Sequence, residues 1–348
     1  MSRPIPGHVG YACSYTPLAL VLASGFTPYR VLPVTSGPDQ AGLHLHDNLC
    51  PHVKRILDRA LAGDLPDMAG MIFMNSCDPM RRLADAWTKV KGGNVAMVDL
   101  PVNGLSRSVD FFARELGRLA GILESWGGDP VTPKRLASGI AATNEIANAL
   151  AGLENHPPCG LGGSVIYEAY TACATSPPAE ALAFVKGIVG SRSTSMADSD
   201  APKVFVFGNV LVGSEAINLI EACGARVALE DTCMGSRMFR RMEMAEGEVS
   251  FTALARAILS GKACARTFDP ARPGGIALDM LEAARGCGAR GAICHTAKFC
   301  DPYLSRLPHI REVFRKEGMP LLVLEGDCTA RSIGQHSTRI EAFLEMLR

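Results

Sequence analysis

The sequence predicts an α/β protein made of two parallel-sheet domains, residues 1–190 and 201–348, with a helical block at about 105–190 extending the first. Three observations lead there. Apolar runs of strand length alternate with segments whose apolar residues recur at helical spacing, towards both ends of the chain. Between them, the middle of the sequence is helical in pattern throughout. A chain of 348 residues also exceeds what one core comfortably serves, and Gly190–Asp200 (GSRSTSMADSD) has the composition of a linker.

In the first domain, Gly10–Arg30 reads as a loop and then a helix from near Pro17, stopped by Gly25. Cys13 precedes that helix, where packing and function are both open. Pro28–Val34 resembles a short strand. His44 and His46, two apart and close to Cys50, read as polar residues ahead of the helix carried by Val53, Ile56, Leu57 and Leu61. Cys50 differs because it stands at that helix's N-terminus. Met71–Met74 is a strand, Cys77 falls at its end, and Pro79 starts a helix on Met80, Leu83 and Trp87. Val95–Val98 is another strand. Ser106–Trp126, Thr132–Leu153, Val165–Ala174 and Ala179–Val189 form the helical block.

The second domain repeats the alternation. Lys203–Phe207, Arg226–Leu229, Ala292-Ile293 and Leu321–Leu324 read as strands, and Ser214–Cys223, Phe251–Leu259, Ala277–Gly286 and Ser337–Leu347 as helices. Both halves read as Rossmann-like or flavodoxin-like units, and a ligand site is expected between them.

Composition excludes several classes. Hydrophobic residues make up 47% and charged residues 20%, as in a well-buried globular protein. Formal net charge is zero, so electrostatics provides no case for nucleic acid or an anionic membrane. No apolar stretch reaches the roughly 20 residues of a spanning helix, and the N-terminus lacks a secretory layout, so a cytoplasmic protein is expected. Gly160–Gly163 lacks the context of a dinucleotide loop, GxxxxGK(S/T) and GxSxG are absent, and GNVLVGSE from Gly208 after a strand is only loosely phosphate-loop-like.

Twelve cysteines are too few for a disulfide scaffold, and in a cytoplasmic chain clustered thiols point to metal or catalysis. Cys77, Cys233, Cys300 and Cys328 each follow a strand-like run past its polar end. In an open α/β sheet that edge binds ligands, and a helix N-terminus there favours thiolate over thiol. With no CxxC pair present, any cluster must be assembled by the fold from distant residues.

Gly10–Gly25 (GYACSYTPLALVLASG), Asn75–Leu83 (NSCDPMRRL), Glu230–Gly235 (EDTCMG), Lys298–Tyr303 (KFCDPY) and Leu322–Phe343 (LVLEGDCTARSIGQHSTRIEAF) together resemble the 2-hydroxyacyl-CoA dehydratase family. That family includes radical dehydratase subunits, subunits of ATP-dependent benzoyl-CoA reductase and double-cubane-cluster proteins. The resemblance runs from Gly10 to the last helix. It implies a [4Fe–4S] cluster between the domains, held by Cys77, Cys233 and Cys300, with one iron open to a non-protein ligand. It also implies single-electron chemistry on an acyl-CoA thioester, a separate ATP-hydrolysing iron–sulfur activator, and pairing as a homodimer or with a paralogous subunit.

One departure bears on the reaction. Where the dehydratase pattern follows its aspartate with tyrosine or serine, Asp327 here is followed by Cys328. With Cys50 and Cys264 it forms a second set of three thiols, as in members that hold a double-cubane [8Fe–9S] cluster and reduce small molecules. Packing of these three beside a single cluster is the alternative. A third possibility is an electron-transfer subunit without a substrate site, paired with a catalytic paralogue.

Overall fold

The structure is a computed structural model and describes residues 7–154, 162–190, 201–244 and 248–348. The expected linker lies mostly outside these residues, as does part of Gly160–Gly163.

The first half runs β1 (His8–Tyr11), α1 (Leu18–Ala23), β2 (Thr27–Arg30), α2 (Pro51–Ala62), β3 (Met68–Asn75), α3 (Asp78–Val90) and β4 (Val95–Asp99). Four helices follow: α4 (Ser106–Ser125), α5 (Pro133–Glu154), α6 (Gly163–Thr175) and α7 (Pro178–Gly190). The second half runs β5 (Lys203–Gly208), α8 (Glu215–Ala222), β6 (Arg226–Asp231), α9 (Phe251–Leu259), α10 (Gly275–Gly286), β7 (Gly291–Ala297), α11 (Asp301–Lys316), β8 (Leu321–Gly326), α12 (Ala330–Gly334) and α13 (Ser337–Glu345).

Each half carries a four-stranded, all-parallel sheet, ordered β2-β1-β3-β4 in the first and β6-β5-β7-β8 in the second. The α/β class with two parallel sheets is therefore as expected. In both sheets the order reverses between the first and third strands in sequence, which opens a crevice at their carboxyl ends. Helices on both faces of a parallel sheet leave its central strands no solvated side, so β7 is buried along its whole length.

Three elements differ from the sequence expectation. His8–Tyr11 is a strand, not a loop: four residues are too few to show a period, and pairing with β2 and β3 supplies the stability. The strand expected at Pro28–Val34 is Thr27–Arg30 and stops short of Pro33, which has no N–H to donate. Helix α11 forms despite Pro308 in its interior, an obstacle that its buried face on Tyr303, Leu307, Ile310 and Phe314 outweighs.

The halves interlock. Helix α9 packs on α4, so Leu254 and Ala255 share a core with Phe112 and Ile72. Helix α6 lies against both β2 and β6, and the Tyr167 hydroxyl donates to the Leu211 carbonyl at 2.7 Å. Among the described residues, no helix is long and apolar enough to cross a membrane.

Candidate functional site: a thiol-lined cavity

Three cysteines share one local design. Cys50, Cys77 and Cys300 are the residues immediately ahead of α2, α3 and α11, and Pro51, Pro79 and Pro302 sit in the first turn of those helices. Proline pre-sets the helical φ and loses only an N–H that a first turn leaves unpaired. Each thiol stays outside the helix beside the remaining first-turn amides. None forms a geometric cap hydrogen bond, yet the amides of His52, Met80 and Tyr303 each favour the thiolate.

Cys233 is delivered by a turn after β6. The buried Glu230 carboxylate accepts from the Thr232 amide at 3.0 Å, from the Thr232 hydroxyl at 2.8 Å and from the Ser236 amide. Gly235 is required there because a Cβ would run into that carboxylate. The Cys233 amide donates to the Asn209 carbonyl at 2.7 Å, tying this turn to the end of β5. Gly208, at φ +155°, passes so close to the His295 carbonyl that no side chain fits. Cys264 lies on the segment after α9, which Arg266 anchors to the first half by donating to Pro101 O at 2.7 Å and Leu100 O at 2.9 Å.

Cys13, Cys50, Cys77, Cys233, Cys264 and Cys300 line a single cavity at the carboxyl ends of the two sheets. About 100 Å³ of it is open to the centre of a water molecule, room for several waters. Cys328 is not in the lining. It is buried beside Cys50 in the second-half core, at φ +64°, and burial above all pushes its thiol up to about 12. The two expected sets of thiols do not separate in space. Cys264 and Cys233 are near enough to shift each other's thiols, whereas the charges felt by Cys50 are those of Cys300, Cys328 and Cys77. Among the described residues, no group of three or more His, Cys, Asp or Glu side chains is spaced to hold one metal ion. A cubane spreads its ligands over several irons, a different spacing.

Burial raises most of these thiols, Cys77 to about 12. Cys264 is the exception: its contact with Cys233 lowers it against the cost of burial, helped by the Arg237 charge, and the same contact raises Cys233. The Arg237 guanidinium is fully buried. It reaches Asp231 Oδ1 at 3.0 Å, Gly208 O at 3.2 Å, the Tyr303 hydroxyl at 3.0 Å and Cys233 Sγ at 3.6 Å. Arg30, also buried, crosses from the first half to donate to Cys233 O at 2.6 Å.

Arg30, Arg237, His52 and Asn209 were not singled out by sequence reasoning, nor was Cys13 given a role. His44 and His46 are exposed and away from the cavity.

The profile of the family "2-hydroxyglutaryl-CoA dehydratase, D-component" matches residues 13–347. Lactoyl-CoA dehydratase subunit beta of Anaerotignum propionicum is 24% identical, covering 98% of this chain and 92% of its own. The (R)-phenyllactyl-CoA dehydratase beta subunit of Clostridium sporogenes is 22% identical over 97% of this chain and 91% of its own. One of the subunits of benzoyl-CoA reductase from Thauera aromatica is 23% identical over 90% of this chain and 84% of its own. With nearly its whole length matched, and with cysteines from both halves on one cavity, the chain belongs to the 2-hydroxyglutaryl-CoA dehydratase D-component family.

Proposed function

We propose that this chain is an iron–sulfur subunit acting in ATP-driven single-electron chemistry on an acyl-CoA thioester, with Cys77, Cys233 and Cys300 holding a [4Fe–4S] cluster. The observation that carries this reading is the convergence of thiols from both sheets on one cavity. Relatives named as dehydratase and reductase subunits support the substrate class.

The residues present fit such a group. Thiols are the donors iron–sulfur clusters use, and three of them would bring negative charge into a buried site. The Arg30 and Arg237 guanidiniums stand beside Cys233 to offset it. When bound, the cluster supplies electrons at low potential and, at an iron without a protein ligand, a Lewis acid for a hydroxyl or thioester oxygen. The protein's part is to set geometry and dielectric. Tyr303 donates to Gly208 O at 2.6 Å while accepting from Arg237, which locks β5 to the start of α11 and so fixes Cys300 relative to Cys233. The Asn209 side-chain oxygen accepts from the amides of Val210 at 2.6 Å and Ala297 at 3.0 Å, holding its amide group towards Cys300. Side chains such as Val53, Met80 and Val210 line the cavity between the thiols and limit water there.

The sequence has no phosphate-binding loop of its own, so ATP hydrolysis falls to a separate activator. Three relatives are named beta subunits, which supports pairing with a second subunit, identical or paralogous. A second reading, a double-cubane [8Fe–9S] reductase using Cys50, Cys264 and Cys328 as well, is favoured by one observation: Cys50 and Cys264 line the same cavity as the first three. Anaerobic iron and acid-labile sulfide quantification tests both. About four irons per chain supports the single cubane, about eight the double cubane, and none refutes both.

A further inference from the structure

Four buried side-chain polar atoms have no hydrogen-bond partner among the described residues: Thr16 Oγ1, Arg30 Nε, His52 Nδ1 and His336 Nε2. Two of the four, Arg30 Nε and His52 Nδ1, belong to residues that line the thiol cavity. Arg30 is 1% exposed and His52 6%, so bulk water does not satisfy them. An unpartnered buried donor costs about 1–3 kcal/mol, more when it is charged, and native proteins rarely leave one without a reason.

Arg30 is held too firmly to swing elsewhere for a partner. Its Nη1 donates to Cys233 O at 2.6 Å and lies 2.8 Å from Met238 Sδ, its Nη2 reaches Ala12 O at 3.4 Å, and its guanidinium carbon stands 5.9 Å from the centre of the Tyr11 ring. Arg237 is the contrast, since its Nε and both terminal nitrogens have acceptors from the protein. His52 is in the first turn of α2, two residues after Cys50, and its buried Nδ1 is left without a partner on the cavity wall. A neutral imidazole presents one N–H, which at Nδ1 would be a donor.

We infer that Arg30 Nε–H and His52 Nδ1–H are a two-donor clamp for a hydrogen-bond-accepting, anionic group in the thiol cavity, the inorganic sulfide of the bound cluster. The inference rests on the proposed iron–sulfur reading and adds to it the residues that would set the cluster's electron affinity. Both are positioning residues, acting on the cluster's sulfur and not on the substrate. A donor to sulfide stabilises the more negative, reduced state, so its loss makes reduction harder.

The deciding variant is Arg30→Lys, which keeps the charge at this site and removes the Nε–H. Iron and sulfide are first quantified in the anaerobic wild-type protein. Their absence there defeats the iron–sulfur reading itself, and the clamp with it. With the wild type loaded, Arg30→Lys should keep its iron content and its one-electron reduction constant should fall about tenfold, or 59 mV for a one-electron couple. Pulsed ENDOR of the reduced protein, in H2O and in D2O, should show an exchangeable proton coupling that the variant loses. His52→Phe should shift the potential in the same direction and remove a second coupling. A loaded Arg30→Lys protein with unchanged potential and unchanged couplings overturns the clamp while leaving the iron–sulfur reading in place. Where Arg30→Lys does not fold, His52→Phe decides by the same two readouts.

Discussion

Arg237 holds Nη1 3.6 Å from Cys233 Sγ while its Nε lies 3.0 Å from Asp231 Oδ1, so one fully buried guanidinium joins the carboxyl end of β6 to the thiol two residues beyond it. A charge in that setting is tolerated because its nitrogens all have acceptors.

Replacing Arg237 by Met should therefore cost the metal-free chain about 3–5 kcal/mol, because Asp231 keeps its charge and loses its partner. Urea denaturation of the metal-free protein measures this directly. A loss below about 1 kcal/mol would mean that Asp231 finds solvent or another donor when Arg237 is gone.

Single replacement of Cys77, Cys233 or Cys300 by Ala should lower iron bound under anaerobic reconstitution to a small fraction of wild type. Cys294→Ala is the control, since Cys294 is buried within β7 and does not line the cavity. It should leave iron content unchanged and cost only about 1–2 kcal/mol of stability, the loss of a small core side chain. Equal iron in the control and in all three variants would remove the ligand assignment.

Gly235→Ala should destabilise the chain by about 1–3 kcal/mol, because a methyl group there overlaps the Glu230 carboxylate that organises the Cys233 turn. Restoring stability with Glu230→Ala on the Gly235→Ala background would show that the clash is the cause. The double variant should still bind less iron than wild type, since the turn has lost its carboxylate.

His295 predicts a pH dependence. Burial, chiefly, and the neighbouring His336 lower its pKa from 6.5 to about 4, and its Nδ1 lies 3.1 Å from Val210 O. Above pH 6.5 neither the folded nor the unfolded chain carries this proton, and stability is unaffected. Between 6.5 and about 4 the unfolded chain binds a proton that the folded chain refuses, so stability falls with pH, by about 3 kcal/mol at most. Denaturation midpoints of wild type and His295→Gln, compared from pH 7 to 4.5, should show a shallower loss in the variant. Parallel curves would place the sensitivity elsewhere.

How much of this protein can be read before folding differs from feature to feature. The strands at Met71–Met74 and Lys203–Phe207 are visible because both faces are buried, which demands unbroken apolar runs, and Leu321–Leu324 is visible as a run of four apolar residues although it lies half-buried at the sheet edge. Helices α4, α5 and α9 are visible because each keeps one apolar stripe at helical spacing. Three of the cysteine placements, Cys50, Cys77 and Cys300, also belong to local sequence: a cysteine followed by proline within two residues at a helix start is a short-range pattern. His8–Tyr11 was not visible, since a four-residue strand has no period and exists through the strands beside it.

Local pattern therefore determined the α/β class, the strand-end thiols and the family motifs around them. Tertiary structure alone decided which thiols meet. Cys264 stands against Cys233 because Arg266 ties its segment to Leu100 and Pro101, more than 150 residues earlier, and no periodicity in the sequence encodes that distance. Arg30, more than 200 residues from Cys233, likewise becomes a site residue only when the two halves close on each other. Such contacts are made between side chains whose neighbours in sequence carry no record of them, whereas helix and strand patterns repeat every few residues and so remain legible in the linear chain.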